Sequence, residues 1–240
     1  AVERCDEFIH APQENFQGNM QLLASRPHWP EHSVIAFEDV ELRYRPHLPP
    51  VLHSLTVTLP SRARVGIVGR TGAGKSSLFQ ALLRMVEVSH GRILIDDLDI
   101  ARLPKRVVRH RIAIIPQDPV LFSGTLRFNL DPFNKYTDTE IWDALGKCRL
   151  KTTVQGWALG LEHAIKEKGR NLSLGERQLV CLGRALLRRT SVICIDEATA
   201  SVDSETDECV QHTIKTAFAN ATVLTIAHRI STILENDLIM

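Results

Sequence analysis

The chain has almost no net charge. Its 29 Lys and Arg against 28 Asp and Glu across 240 residues leave +1. Without a basic excess it does not read as a general nucleic-acid binder. No apolar run approaches the ~18–20 residues needed to span a bilayer, so direct membrane insertion of this chain is not expected. No secretory signal is expected either, because Glu3, Arg4, Asp6 and Glu7 interrupt the N-terminus. Cysteines are few: Cys5, Cys148, Cys181, Cys194 and Cys209 are odd in number and none pairs at C-x-x-C spacing. That argues against a disulfide scaffold or a Cys-rich zinc site, and a reducing compartment fits best. Internal repeats and low-complexity tracts are absent. What remains is globular. Hydrophobic residues at 44% and charged residues at 24% exclude wholesale disorder, and the length suits one large domain or two small ones.

Residues 1–33 read as a linker: polar, with Pro12, Pro27 and Pro30 and no sustained periodicity. A short helix can cover Val2 to Ile9. The globular part starts at Val34. Ile35, Phe37, Val40, Leu42 and Tyr44 approximate strand alternation, with a slip near Glu38-Asp39. Pro46, Pro49 and Pro50 then force a loop, and Val51 to Leu59 alternates again. These two runs predict an antiparallel element with one wet face. The pattern then changes. Short apolar runs at Val65–Val68, Ile93–Ile95, Ile112–Ile115, Val192–Ile195 and Val223–Ile226 alternate with helical stretches at Lys75–Met85, Thr139–Lys147, Leu174–Leu187 and Glu205–Phe218. The last two runs, β-branched and nearly uncharged, suit central parallel strands buried on both faces. The class is α/β. Pro119 to Lys168 shows no strand pattern and reads as a mostly helical insertion. The basic cluster Lys105, Arg106, Arg109 and Arg111 reads as a solvated face.

Gly69-Arg70-Thr71-Gly72-Ala73-Gly74-Lys75-Ser76 fits G-x-x-x-x-G-K-[ST] after an apolar strand and before a helix. Glycines let the loop wrap closely, so backbone N–H groups converge on phosphate oxygens. The helix N-terminus adds a favourable dipole. Lys75 supplies a point charge and Ser76 a hydroxyl ligand for Mg²⁺. Downstream, Val192–Ile195 ends in Asp196-Glu197. Neighbouring strand side chains point oppositely, so the two acids take different tasks. Asp196 is expected to hold the Mg²⁺ shell, and Glu197 to face the γ-phosphate and polarise the attacking water.

Asn171-Leu172-Ser173-Leu174-Gly175-Glu176-Arg177-Gln178 resembles the LSGGQ signature of ATP-binding-cassette (ABC) ATPases. Gln117 resembles the Q-loop glutamine, Ala200-Ser201-Val202-Asp203 the D-loop, His228 the switch histidine, and Tyr44 the A-loop aromatic that stacks on adenine. The resemblance covers residues 34–240. It implies a RecA-like P-loop core with a mainly parallel sheet, an N-terminal antiparallel β subdomain and a helical subdomain over about 118–185. It implies ATP and Mg²⁺ as cofactors, with Tyr44, the loop from Gly69 to Ser76, and Ser77 at the nucleotide. Ser76, Gln117 and Asp196 would serve Mg²⁺, and Glu197, His228 and Gln117 would serve the reaction. Two such domains would sandwich two ATP molecules head to tail, Ser173, Leu174, Gly175 and Glu176 meeting the partner's ATP and Asp203 lying at the junction.

The segments Pro116–Arg127, Asn129–Pro132 and Asp196–Asp203 and the opening Val2-Glu3-Arg4 resemble the multidrug-resistance-associated (C) group, and within it the second nucleotide-binding domain. The resemblance therefore implies an ATPase powering export of organic solutes or conjugates, at the cytosolic face of a membrane, joined to a first nucleotide-binding domain and transmembrane domains. Residues 1–33 would then be the tether from the last membrane helix, the family's domain would continue past Met240, and the coupling surface would lie near Gln117 to Asn134. The same group includes sulfonylurea-receptor-like regulators, where the domain would be a nucleotide sensor. Two departures stand out. Leu174 replaces a consensus glycine, and Glu176 replaces a glutamine, putting negative charge where an anion should arrive. That predicts an asymmetric pair of sites.

Overall fold

The computed structural model describes residues 14, 18–196, 204–226, 234 and 236–240. The predicted antiparallel element is present. β1 (Ile35–Leu42) pairs antiparallel with β2 (Leu52–Leu59) on one side and β4 (His90–Ile95) on the other, and β5 (Leu98–Asp99) closes the sheet in the order β2-β1-β4-β5. The slip at Glu38-Asp39 is a β-bulge: register shifts on both partners, and Asp39 takes φ 49°. Facing it, Gly91 sits at φ +74°, where a Cβ would lie 2.2 Å from the Asp39 carbonyl oxygen. Only glycine fits there.

The second sheet is parallel, in the order β11-β3-β10-β9-β6, from β3 (Arg64–Ile67), β6 (Ile112–Ile115), β9 (Val192–Asp196), β10 (Thr222–Ile226) and β11 (Leu238–Ile239). β9 explains the charge-free sequence. Val192 and Cys194 enter one hydrophobic core, with α1 (Lys75–Leu82) and the antiparallel sheet, while Ile193 and Ile195 enter the other, with the helical region. A strand buried on both faces carries no polar alternation.

The helical region holds α3 (Leu126–Leu130), α4 (Asp138–Lys147), α5 (Lys151–Gln155) and α6 (Leu174–Arg188), and α7 (Ser204–Ala217) follows β9. It is not wholly helical. β7 (Gly124–Thr125) and β8 (Ala164–Ile165) pair antiparallel across it. Two-residue strands are too short for alternation to show in sequence. α4 and α6 each begin with a capping box, Thr137 with Glu140 and Ser173 with Glu176.

Ordered packing begins before Val34. Trp29 is buried and its indole N–H donates to the Ile95 carbonyl at 2.8 Å. The Asp96 carboxylate accepts from the backbone N–H groups of Glu31, His32 and Val34. The basic cluster on α2 (Lys105–Arg111) also departs from a solvated face. Lys105 is buried and pairs with Glu87 at 2.9 Å and Glu14 at 3.4 Å. Arg109 donates to Glu14 and to the carbonyls of Leu83 and Arg84. Only Arg106 and Arg111 are exposed. The acids that turn this cluster inward lie far away in sequence, so local charge patterning does not reveal them.

Candidate functional site

In the parallel sheet β3, β6, β9 and β10 all run the same way, so their carboxyl ends share one edge. Open α/β sheets bind ligands outside that edge. β3 leads there into Gly69–Lys75, β6 into Pro116-Gln117, and β9 ends on Asp196, in register with Ile226 of β10.

The loop after β3 turns on two left-handed glycines, Gly72 at φ +82° and Gly74 at φ +87°. A Cβ on Gly72 would meet nothing within 4 Å, so that turn faces open space. A Cβ on Gly74 would lie 2.9 Å from the Val51 carbonyl oxygen, so the loop is pressed against the start of β2. Gly74 is the N-cap of α1. No side chain caps this helix, and its first turn holds no acid. Its leading N–H groups therefore remain donors for an incoming anion. The Lys75 ammonium donates to the carbonyls of Gly69 at 2.8 Å and Arg70 at 3.2 Å, which folds it back over the loop. Ser76 is exposed, and Ser77 is buried.

Tyr44 lies two residues past the end of β1. Its hydroxyl donates to the Gln80 side-chain oxygen at 3.1 Å and lies 2.8 Å from the Ser77 hydroxyl. With the phenolic hydrogen committed to Gln80, Ser77 is the donor in the second bond. Both partners belong to α1, so the half-exposed ring is pinned beside the phosphate loop. This linkage is not visible in the sequence, where Tyr44 and Ser77 stand 33 residues apart.

Strand alternation from Cys194 puts Asp196 on the α1 side of the sheet. The complete burial of Cys194, with help from the Asp196 charge, pushes its thiol strongly upward in pKa, so that cysteine is a core thiol rather than a reactive one. Ser76, Gln117 and Asp196 offer a hydroxyl, an amide and a carboxylate. This all-oxygen donor set fits a hard cation such as Mg²⁺. Among the described residues no cluster of three or more His, Cys, Asp or Glu could hold a metal unaided. Glu197, Asp203 and His228 lie outside the described residues.

Residues 171–173 lead into α6, with Ser173 as its N-cap, and 174–178 form its first turn. Ser173 is exposed and Gly175 buried. The Ser173 hydroxyl accepts the Glu176 N–H at 3.1 Å, and the Glu176 carboxylate accepts the Ser173 N–H at 2.7 Å. Leu174 is the first residue of the helix. One contact that sequence reasoning missed joins this turn to the sheet edge: the Gln178 amide donates to the Gln117 carbonyl at 2.8 Å. Further along α6, the Arg184 guanidinium donates to the carbonyls of Val120 and Asn129. Beside it opens a groove of about 590 Å³ whose lining includes Ile114, Phe122, Phe128, Tyr136 and Arg188.

The sequence pattern of the ABC transporter family matches residues 52–200. ATP-binding cassette sub-family C member 2 is 52% identical over 240 residues in Homo sapiens and 50% over 242 in Mus musculus, each covering all of this chain. Multidrug resistance protein mrp-7 of Caenorhabditis elegans is 49% identical over 240 residues. The chain spans about 15% of the length of the sub-family C relatives and 16% of mrp-7. A bacterial Atm1-family ABC exporter solved with ATP bound superposes on 88% of the chain, and on 37% of its own, with a TM-score of 0.82 and 31% identity. An α/β core with an outlying antiparallel sheet and a helical region, an ATP-type phosphate loop at the sheet edge and a match over the full chain lead to one conclusion: the chain belongs to the ABC transporter family, as a nucleotide-binding domain of its C subfamily.

Proposed function

We propose that this domain binds ATP with Mg²⁺ and, paired head to tail with a second nucleotide-binding domain, hydrolyses it to power export of organic solutes or conjugates across a membrane. The observation that carries the reading is the phosphate loop. Two left-handed glycines, an uncapped helix N-terminus and a lysine folded over the loop make an anion cradle at the carboxyl edge of the sheet.

In this reading the amides from Gly69 to Ser77 and the Lys75 ammonium grip the phosphates. Tyr44 offers its ring to the adenine. Ser76, Asp196 and Gln117 hold Mg²⁺, which screens charge on the phosphates when bound. Glu197 takes a proton from the attacking water, and His228 holds that geometry beside the γ-phosphate. Ser173, Leu174, Gly175 and Glu176 face the partner domain's ATP, with Asp203 at the junction. The groove beside α6 is the seat for the membrane-embedded part of the transporter, and the domain works at the cytosolic face. The relatives include a multidrug resistance protein and the structural neighbour is an exporter. No observation favours the nucleotide-sensor reading.

The test is ATP turnover of this chain mixed with its first-domain partner and Mg²⁺, beside a Glu197→Gln control. Turnover that needs the partner and collapses in the control is the expected result. Equal turnover in the control removes Glu197 from its role.

A further inference from the structure

We infer that Gln178 is a positioning residue that ties this domain's own nucleotide site to its signature turn. The inference rests on the proposed function and adds a residue to it. Gln178 is 3% exposed, yet only half of its amide is used. The NH₂ donates to the Gln117 carbonyl at 2.8 Å, while the side-chain oxygen is buried with no hydrogen-bond partner among the described residues. A buried, unpaired acceptor is costly. An apolar side chain of equal length removes that cost but also gives up the donor to the Gln117 carbonyl, so the two effects largely offset. For stability alone the position gains little from an amide, so its one hydrogen bond points to a mechanical task.

The geometry indicates what the task is. Gln117 follows β6 at the edge where the phosphates are held, and its carbonyl is main chain, so Gln178 senses the backbone position there rather than the side chain. Gln178 sits five residues after Ser173 on a 15-residue helix whose start is fixed by the Ser173–Glu176 box. Arg184 fastens the same helix to the Val120 and Asn129 carbonyls, and the buried Asn129 side chain in turn bonds the backbone of Phe122 and Thr125. The segment after Gln117 and α6 are thus stapled into one body. Movement of Gln117 at this domain's phosphates is carried through Gln178 to Ser173, which faces the partner's ATP. Gln178 touches neither nucleotide.

The experiment uses the full-length transporter with Gln178→Met, and with Gln178→Leu as a second apolar replacement. Thermal midpoint, ATP bound per molecule, KM for ATP, kcat and the Hill coefficient for ATP are measured. The expected result is an unchanged thermal midpoint and a KM within about twofold. kcat per ATP-binding molecule falls about five- to tenfold, the scale of one lost hydrogen bond, and the Hill coefficient drops toward 1. Wild-type kcat and Hill coefficient in either folded variant overturn the inference. So does a loss of kcat that vanishes once turnover is expressed per ATP-binding molecule, since that is the mark of a structural role. Failure of the wild-type transporter to hydrolyse ATP at all strikes the proposed function instead, so the two failures are distinct.

Discussion

Tyr44 allows a sharp test of how the nucleotide's base is held. The ring is 47% exposed, and its hydroxyl is tied to Ser77 and Gln80 on the helix that starts the phosphate cradle. In the proposed site, Tyr44→Ala removes the platform offered to the adenine. Base–aromatic stacking is worth about 1–3 kcal/mol, so ATP affinity should fall by about 5- to 150-fold. Tyr44→Phe keeps the ring and loses only the two hydrogen bonds, to Gln80 and to the buried Ser77 hydroxyl. Its loss should stay near twofold, through looser ring placement and the Ser77 hydroxyl left to find another acceptor. Inorganic tripolyphosphate separates the base from the phosphates. It competes for the same cradle and has nothing to stack, so Tyr44→Ala should leave its affinity unchanged. The assay is displacement of a fluorescent ATP analogue by ATP and by tripolyphosphate, on wild type and both variants. The reasoning is refuted if Tyr44→Ala weakens ATP and tripolyphosphate equally, because Tyr44 then acts on the cradle through Ser77 rather than on the base.

Trp29→Ala should cost about 3–5 kcal/mol in urea unfolding, and Trp29→Phe about 1–3 kcal/mol through the abandoned Ile95 carbonyl; a change below about 0.5 kcal/mol for the alanine variant would show that residues before Val34 are not part of the fold. Glu14 is held down at a pKa of about 2, first by its hydrogen bond to Arg109 and with help from Lys105. Its folded pKa is depressed, so its contribution is complete above the ordinary value near 4.5 and is lost as pH falls toward 2. A carboxyl NMR titration should place the Glu14 midpoint near 2 and move it most of the way back to 4.5 in Arg109→Gln; an unmoved midpoint removes Arg109 as the cause. Leu174→Gly with Glu176→Gln should raise nucleotide occupancy at the site that borrows this signature. A neutral glutamine preserves the capping box, so only bulk and charge change, and the charge part is about 0.3–1 kcal/mol, or up to about fivefold in affinity. Unchanged occupancy and turnover in the paired transporter would sink the asymmetry.

The sheet edge was legible because its residues are consecutive. The Gly69–Ser76 spacing, the apolar β9 ending on Asp196 and the bulge at Glu38-Asp39 each leave a local pattern. The misses share another cause. β7 and β8 are fixed by two antiparallel residue pairs, Gly124 with Ile165 and Thr125 with Ala164, far apart in the chain. Trp29 is fixed by a carbonyl 66 residues away, Lys105 by Glu87 and Glu14, and Gln178 by a carbonyl 61 residues away. Such contacts are tertiary, and no propensity or period encodes them locally. Gln178 had a faint signal, since a glutamine within a run of helix residues that turn out buried demands a partner. The sequence alone does not say which one.

In the proposed head-to-tail pair, the starts of α1 and α6 give a physical reason for a second domain. Every helix begins with unpaired N–H groups. At α1 no side chain answers them, no acid sits in the first turn, and Lys75 adds positive charge. A polyphosphate answers them in one step, so this end should bind nucleotide without help. At α6 the domain answers part of its own: Ser173 takes the Glu176 N–H, Glu176 takes the Ser173 N–H, and the answer carries a negative charge. That end should attract an anion weakly. In the proposed pair it completes a site already filled from the partner domain's cradle. On the proposed function, the same contrast predicts the order of events, with nucleotide seated first at α1 and a partner's signature arriving second. It also predicts the inequality between the two composite sites, since this domain's Glu176 would burden only the site built on the partner's cradle.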